Sequence, residues 1–280
     1  MGHGGYSIGS TNTFTSSARG YAGKTNFDIF TERNINAAMN PLNVALRESR
    51  DSADHPNSYP VVLGLDVTGS MGAVPNFLIK EGFNAIMETI IKGGELDPQI
   101  LFMGIGDHEC DDAPFQIGQF ESNDELLHNW FTKVYLEGGG GGNAGESYLL
   151  AWYFAAFRTA TDSFEKRGRK GILFTVGDEP VLNYLGKEAL FNIFGTGQYS
   201  NYTAKQLLEQ AQQNYDVYHI HVAETSTGQR AGTVDGWIKL MGKNVLVVQN
   251  SKDVASVIAS TILEHKQVQQ IGATSTLLLE

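Results

Sequence analysis

The chain has 280 residues, long enough for a packed core without a disulfide or structural metal, and 41% hydrophobic against 18% charged residues is a globular composition. Twenty Lys and Arg against 31 Asp and Glu leave a net charge of −11, which argues against non-specific binding to nucleic acid or to an anionic membrane face. The single cysteine, Cys110, allows no internal disulfide, and no apolar run approaches the roughly 18 residues of a membrane span, so the expectation is a soluble cytoplasmic protein.

The opening Gly2 to Gly23 is rich in Gly, Ser and Thr and has almost no hydrophobic periodicity, as expected of an extended tail. Within it, Gly23-Lys24-Thr25 invites a phosphate-loop reading, but that motif needs glycine at position 18, where Ala18 stands, and a strand just before it. Phe27 to Leu46 carries scattered apolar residues that can pack on a neighbour, and 47–58 is polar loop. Val61 to Leu65 is a short, almost fully apolar run, the pattern of a strand covered on both faces. Pro75 then sits where a first helical turn tolerates proline, and Ile79, Phe83, Ile86, Met87 and Ile90 form a helical stripe ending near Gly93-Gly94.

Ile100 to Ile105 is the next apolar strand, and Phe115 to Phe120 alternates like an edge strand with one wet face. Asp124 to Tyr135 and Glu146 to Ala160 read as helices on either side of the glycine block Gly138 to Gly142. The second is apolar on nearly every side through Trp152, Tyr153, Phe154 and Phe157, which places it in the core. Ile172 to Val176, Val217 to Val222 and Val245 to Val248 are further strands, with helices between them and a last helix near Asp253 to Gln269. Asn183 to Tyr202 has no clear pattern and reads as an insertion. Strands alternating with helices imply a doubly wound, mostly parallel α/β sheet with helices on both faces. The division expected is an N-terminal arm at 1–58, an α/β domain at 59–270 and a C-terminal tail at 271–280.

In such sheets ligands bind beyond the carboxyl ends of the strands, so the residues just after each strand matter most. Asp66-Val67-Thr68-Gly69-Ser70-Met71 follows the first strand, Asp107-His108 the second and Gly177-Asp178-Glu179 the fourth. Any one of these acids has an ordinary explanation as a helix cap. Together they present hard oxygen ligands from separate loops, and a carboxylate with two hydroxyls at alternate positions suits Mg²⁺, Mn²⁺ or Ca²⁺ better than zinc.

These residues resemble the D-x-[ST]-x-S signature of von Willebrand factor A domains, in the D-x-T-G-S-M form of intracellular members. Gly139 to Glu146 (GGGGNAGE) is similar to the G-G-G-D-x-P-E loop of a bacterial and alpha-kinase-associated branch, and Thr175 to Pro180 (TVGDEP) to that branch's T-D-A-P-P. The likeness spans about Val61 to Val248. It implies a metal-ion-dependent adhesion site in which Thr68 and Ser70 ligate a cation, Mg²⁺ first, while Asp66 and Asp178 hold its waters. Asn143 is the third-loop candidate, an amide where the branch has a carboxylate, and Asp107 and Glu146 stand one step behind. The function implied is a non-enzymatic protein-binding module that captures a partner's acidic residue through the ion. Partners implied by the likeness are AAA+ ATPases or components of prokaryotic stress or assembly systems.

The rival is a haloacid-dehalogenase-like phosphohydrolase with Asp66 as nucleophile, since DVTGS resembles the D-K-T-G-T of ion-pumping ATPases. Its soluble members need Asp at position 68, which is Thr68, and a downstream Asp at 182, which is Leu182. A serine-hydrolase elbow around Ser70 needs glycine where Thr68 stands. His219 and His221 share one strand face and read as structural, His108 to Asp112 as a solvated acidic loop, and Lys166, Arg167, Arg169 and Lys170 as a solvated face remote from Asp178.

Overall fold

The computed structural model describes residues 16, 19–94, 97–137 and 143–277, the last eight by backbone alone. The glycine block at 138–142 lies outside the described residues. In chain order the elements are β1 (Arg47–Ser49), β2 (Tyr59–Asp66), α1 (Phe83–Lys92), β3 (Pro98–Ile105), β4 (Phe115–Glu121), α2 (Asp124–Thr132), α3 (Tyr148–Phe157) and β5 (Thr159–Thr161). There follow β6 (Gly171–Gly177), β7 (Tyr184–Leu185), α4 (Lys187–Phe194), β8 (Tyr202–Thr203), α5 (Ala204–Asn214), β9 (Tyr215–Val222), α6 (Thr233–Met241), β10 (Val245–Val248) and α7 (Val254–Leu277).

Six strands form one sheet in the order β10-β9-β6-β2-β3-β4, parallel throughout except for antiparallel β4. This is the α/β architecture expected from the alternation of apolar strands and helices. One face is covered by α1, α2 and α7, the other by α3, α5 and α6, and each face has its own apolar core. Every residue of β2, β3 and β6 is buried, as their continuous apolar runs require. From Tyr148 to Ala155, α3 is buried on all sides. Chain order reverses around β2, which is flanked by β3 on one side and β6 on the other, so the crevice above β2 and β6 is the place where this topology accepts a ligand.

Three details differ from the sequence pattern. The Phe115–Glu121 strand is at the sheet edge but has no wet face, and only Gln119 is partly exposed. Its outer side is covered by the chain that precedes the domain, where Arg47 Nε donates to the Gly118 carbonyl at 2.8 Å, and the segment after α2 adds two 2.8 Å hydrogen bonds between the Gln116 side chain and the Tyr135 backbone. The helix after Pro75 is not uniform, because Val74–Phe77 passes through a π turn at Leu78–Gly82 before α1 begins. Residues 183–203 carry α4 between the antiparallel pair β7 and β8, and Phe194 of α4 stacks on Tyr153 of α3 with ring centroids 5.3 Å apart.

Residues 19–58 lie on this body, with Ile29, Phe30 and Met39 in its core and β1 paired in parallel with β5. The basic residues at 166–170 sit at the amino end of β6, where Arg167 pairs with Asp51 at 2.7 Å and Lys166 with Asp162 at 2.7 Å. Among the described residues, no helix is long and apolar enough to cross a membrane.

Candidate functional site

Parallel pairing of β2 with β6, Leu65 opposite Val176, delivers Asp66 and Asp178 to the same edge of the sheet. Asp66 is completely buried, and its Oδ1 accepts from the Thr68 backbone N–H at 3.0 Å and from the Thr68 hydroxyl at 2.6 Å. The loop turns in one 3₁₀ step at Gly69–Met71, with Gly72 at φ 51°, a conformation that favours glycine. That turn brings the Ser70 hydroxyl to donate to Asp178 Oδ1 at 2.8 Å, across 108 residues of sequence. Asp178 is also fully buried, and its Oδ2 accepts from the Thr225 hydroxyl at 2.6 Å. Four of the residues singled out from the sequence, Asp66, Thr68, Ser70 and Asp178, thus meet in one hydrogen-bonded line.

The other three lie around it. Asp107 is buried after β3, and its Oδ1 accepts the Glu109 N–H at 2.8 Å. The Asn143 amide donates to Glu109 Oε2 at 2.8 Å, so it faces the 107–112 loop and has no hydrogen bond to the Asp66 line. The Glu146 backbone is fixed by Pro180 O and Leu182 N at 2.8 and 3.0 Å, and its side chain is buried with Oε2 lacking any partner among the described residues.

Two polar groups complete the site that the sequence pattern did not reveal. Tyr148, first residue of the buried helix α3, donates its hydroxyl to Asp66 Oδ2 at 2.7 Å and accepts the Glu179 N–H at 3.3 Å. Its ring passes over Gly177, where a Cβ would lie 1.9 Å from the hydroxyl oxygen, so only glycine at the end of β6 admits this contact. Thr225 lies three residues beyond β9, after Glu224, whose carboxylate instead accepts the Ser251 N–H, and a lone threonine in a polar loop gives no signal of its own. A polar tip at the start of an all-apolar helix was the one available signal for Tyr148.

Negative charge at this spot is held at a cost. Burial pushes the Asp66 carboxyl up to about 7, with Asp178 acting in the same direction and the bonds from Thr68 and Tyr148 opposing it. Burial pushes Glu146 up to about 10, helped by Asp66, Asp111, Asp107 and Glu179. Glu179 faces Arg230 at 3.3 Å. The strand histidines are fully buried beside this line: His219 is stacked on Trp237 at 3.5 Å with Nδ1 on Thr175 Oγ1 at 2.9 Å, His221 Nε2 meets Gly228 O at 2.8 Å, and the other ring nitrogen of each has no partner among the described residues.

Whether these residues fit a cation is decided by the hydroxyl hydrogens. Thr68 Oγ1 and Ser70 Oγ lie 3.2 Å apart, yet each has one hydrogen, directed at Asp66 and Asp178 respectively. With those hydrogens engaged by carboxylates, the two oxygens keep lone pairs that can accept from a donor or meet a cation. In a near-octahedral shell at 2.0–2.1 Å, adjacent oxygen ligands lie about 3 Å apart, close to the separation seen here. No group of three or more His, Cys, Asp or Glu among the described residues is arranged to hold a metal, so a cation here depends on the two hydroxyls and on water.

No family model and no curated protein matches the chain. Among solved structures it is similar to the pilus adhesin SpaC of Lactobacillus rhamnosus GG in an open conformation, with 11% identity and a TM-score of 0.49 over 78% of this chain and 31% of that one. It is also similar to proximal thread matrix protein 1 of the mussel byssus, at 10% identity and a TM-score of 0.45 over 77% of this chain and 50% of that one. A second structure of that mussel protein, described with a zinc-occupied MIDAS motif, gives 10% identity and a TM-score of 0.40 over 78% of this chain and 49% of that one. The chain therefore spans a third to a half of the proteins it is compared with.

Proposed function

We propose that this chain is a von Willebrand factor A-like, non-enzymatic binding module that takes up a divalent cation, Mg²⁺ foremost, and uses it to bind an acidic residue of a partner protein. Thr68 and Ser70 would hold the ion through their hydroxyls, with Asp66 and Asp178 orienting those hydroxyls and bound water. Asp107 and Glu146 add negative charge behind them, and Asn143 would have to leave Glu109 to join. The carrying observation is the 3.2 Å approach of two hydroxyl oxygens whose hydrogens both point elsewhere. Neutral ligands leave most of an ion's charge uncancelled, so the chemistry it supplies is an open position for a carboxylate. An adaptor role beside an AAA+ ATPase follows only from the resemblance of the three motifs.

Nucleophilic phosphoryl transfer through Asp66 finds less support. Both of its oxygens are engaged, by Thr68 and Tyr148, and the residue has no exposed surface. Titrating Mg²⁺ into the metal-free protein should raise its melting temperature, and Ser70→Ala, which keeps every buried carboxylate, should abolish that rise. A rise of equal size in Ser70→Ala, or no rise in the wild type at millimolar Mg²⁺, would refute the reading.

A further inference from the structure

Beside the Asp66 line, at the same edge of the sheet, α5 and α6 begin side by side and enclose a groove of about 700 Å³. Pro180, two residues beyond Asp178, lies on its wall, and Leu240 gives it an apolar side. The two helices start differently. Thr203 caps α5 and forms a reciprocal pair with Gln206, whereas α6 starts at Gly232, in the left-handed region at φ 85°, and that residue has no side chain with which to cap it. The Thr233 N–H reaches the Arg230 carbonyl at 3.3 Å, and no side chain caps the start of α6, whose dipole favours negative charge there.

A second feature points the same way. Thr233, the first residue of α6, lines the groove and is only 6% exposed, and its hydroxyl makes no hydrogen bond among the described residues. Its oxygen is not sealed off from the groove, so a ligand there can replace water as its partner. Lys239 and Lys205 stand on the rim, Lys239 without an ion-pair partner among the described residues and Lys205 only 3.8 Å from its own helix neighbour Glu209. The carboxylate nearest in sequence, Asp235, is in the first turn of α6 and exposed, while Glu179 is engaged by Arg230.

We infer that this groove binds an acidic peptide segment, one carboxylate of which meets the Thr233 hydroxyl and the first turn of α6 while Lys205 and Lys239 face its other charges. Charge complementarity selects this occupant: on a chain of net charge −11, the groove joins two lysines, a helix start with no side-chain cap and a hydroxyl open to the groove. Its position beside Asp178 lets one partner engage both places. That sharing rests on the proposed function, whereas occupation of the groove itself does not.

The test uses the full chain, amide NMR and a hexaglutamate peptide blocked at both ends, without Mg²⁺ and with EDTA present. Saturable shifts are expected at Lys205, Thr233 and Val234, at least tenfold weaker in Lys205→Glu/Lys239→Glu and in Thr233→Val, and restored in Thr233→Ser. Ser70→Ala should leave them unchanged. Equal shifts with a blocked hexaglutamine peptide, or full binding by Thr233→Val, would overturn the inference. Shifts that require Mg²⁺ and vanish in Ser70→Ala would also overturn it while leaving the cation site standing. Groove shifts that persist in a protein indifferent to Mg²⁺ would uphold the groove and remove the cation.

Discussion

Replacing Tyr148 by Phe removes one oxygen from the centre of the protein and tests the electrostatic account of the site. The hydroxyl donates to Asp66 Oδ2 at 2.7 Å, where neither residue is exposed. A hydrogen bond to an ionised group contributes about 1.5–3 kcal/mol and one to a neutral group about 0.5–1.5 kcal/mol, so the loss depends on whether Asp66 carries a proton. Its folded pKa is about 7, above the unfolded value of 3.8, so the native chain holds a proton that the unfolded chain releases. Stability from this group is therefore full below about pH 4, falls as pH rises toward 7 and is flat above. Without the tyrosine the ionised form loses a donor, the folded pKa moves further up, and the decline extends to higher pH. Tyr148→Phe should cost about 1 kcal/mol at pH 5 and about 2 kcal/mol or more at pH 8.5. Urea denaturation in EDTA at the two pH values measures both. An equal loss at each pH, or a larger one at pH 5, would show that the hydroxyl does not support a buried charge.

Glu146→Gln should stabilise the metal-free protein at pH 8 by up to about 5 kcal/mol and have little effect at pH 4, because a folded pKa of about 10 obliges the native state to retain a proton that the unfolded chain gives up above about 4.5. The same urea titrations at those pH values decide it, and a gain independent of pH would contradict the assignment. Gly177→Ala should push the Tyr148 ring off Asp66, since a Cβ there would lie 1.9 Å from the hydroxyl oxygen. Its cost should exceed about 2 kcal/mol, and combined with Tyr148→Phe it should fall short of the sum of the two, because both variants break one contact. Strict additivity would separate them.

Much of this fold is legible because β2, β3 and β6 are buried on both faces and so appear in the sequence as unbroken apolar runs. What was not legible depends on contacts between distant segments. The alternation in Phe115–Glu121 signals an edge correctly, but nothing local shows that Arg47 and the chain around it will cover that edge. The π turn at Leu78–Gly82 shifts the helical stripe by a single residue, within the scatter of any apolar pattern. Beyond the end of α1, a Cβ on Gly93 would lie 2.3 Å from the Leu263 side chain of α7, so glycine there lets the two helices approach. In the 183–203 segment, two-residue strands are too short to carry a period.

At the site the division follows charge. Asp66 and Asp178 could be found because acids stand out after apolar strands, whereas Tyr148 and Thr225 reach them with hydroxyls from an apolar helix and a polar loop. The two classes have opposite tasks. Buried carboxylates fix the direction of each hydroxyl hydrogen, and hydroxyls on the far side keep those carboxylates from being left without donors. Thr68 and Ser70 are consequently oriented before any ligand arrives, with their lone pairs exposed to one another. A net charge of −11 repels acidic partners, but at physiological salt that field decays over about 8 Å, and at closer range a doubly charged centre outweighs it. Under the proposed function, a cation held at the mouth above β2 and β6 would concentrate positive charge at one point and so let this acidic chain bind an acidic residue there.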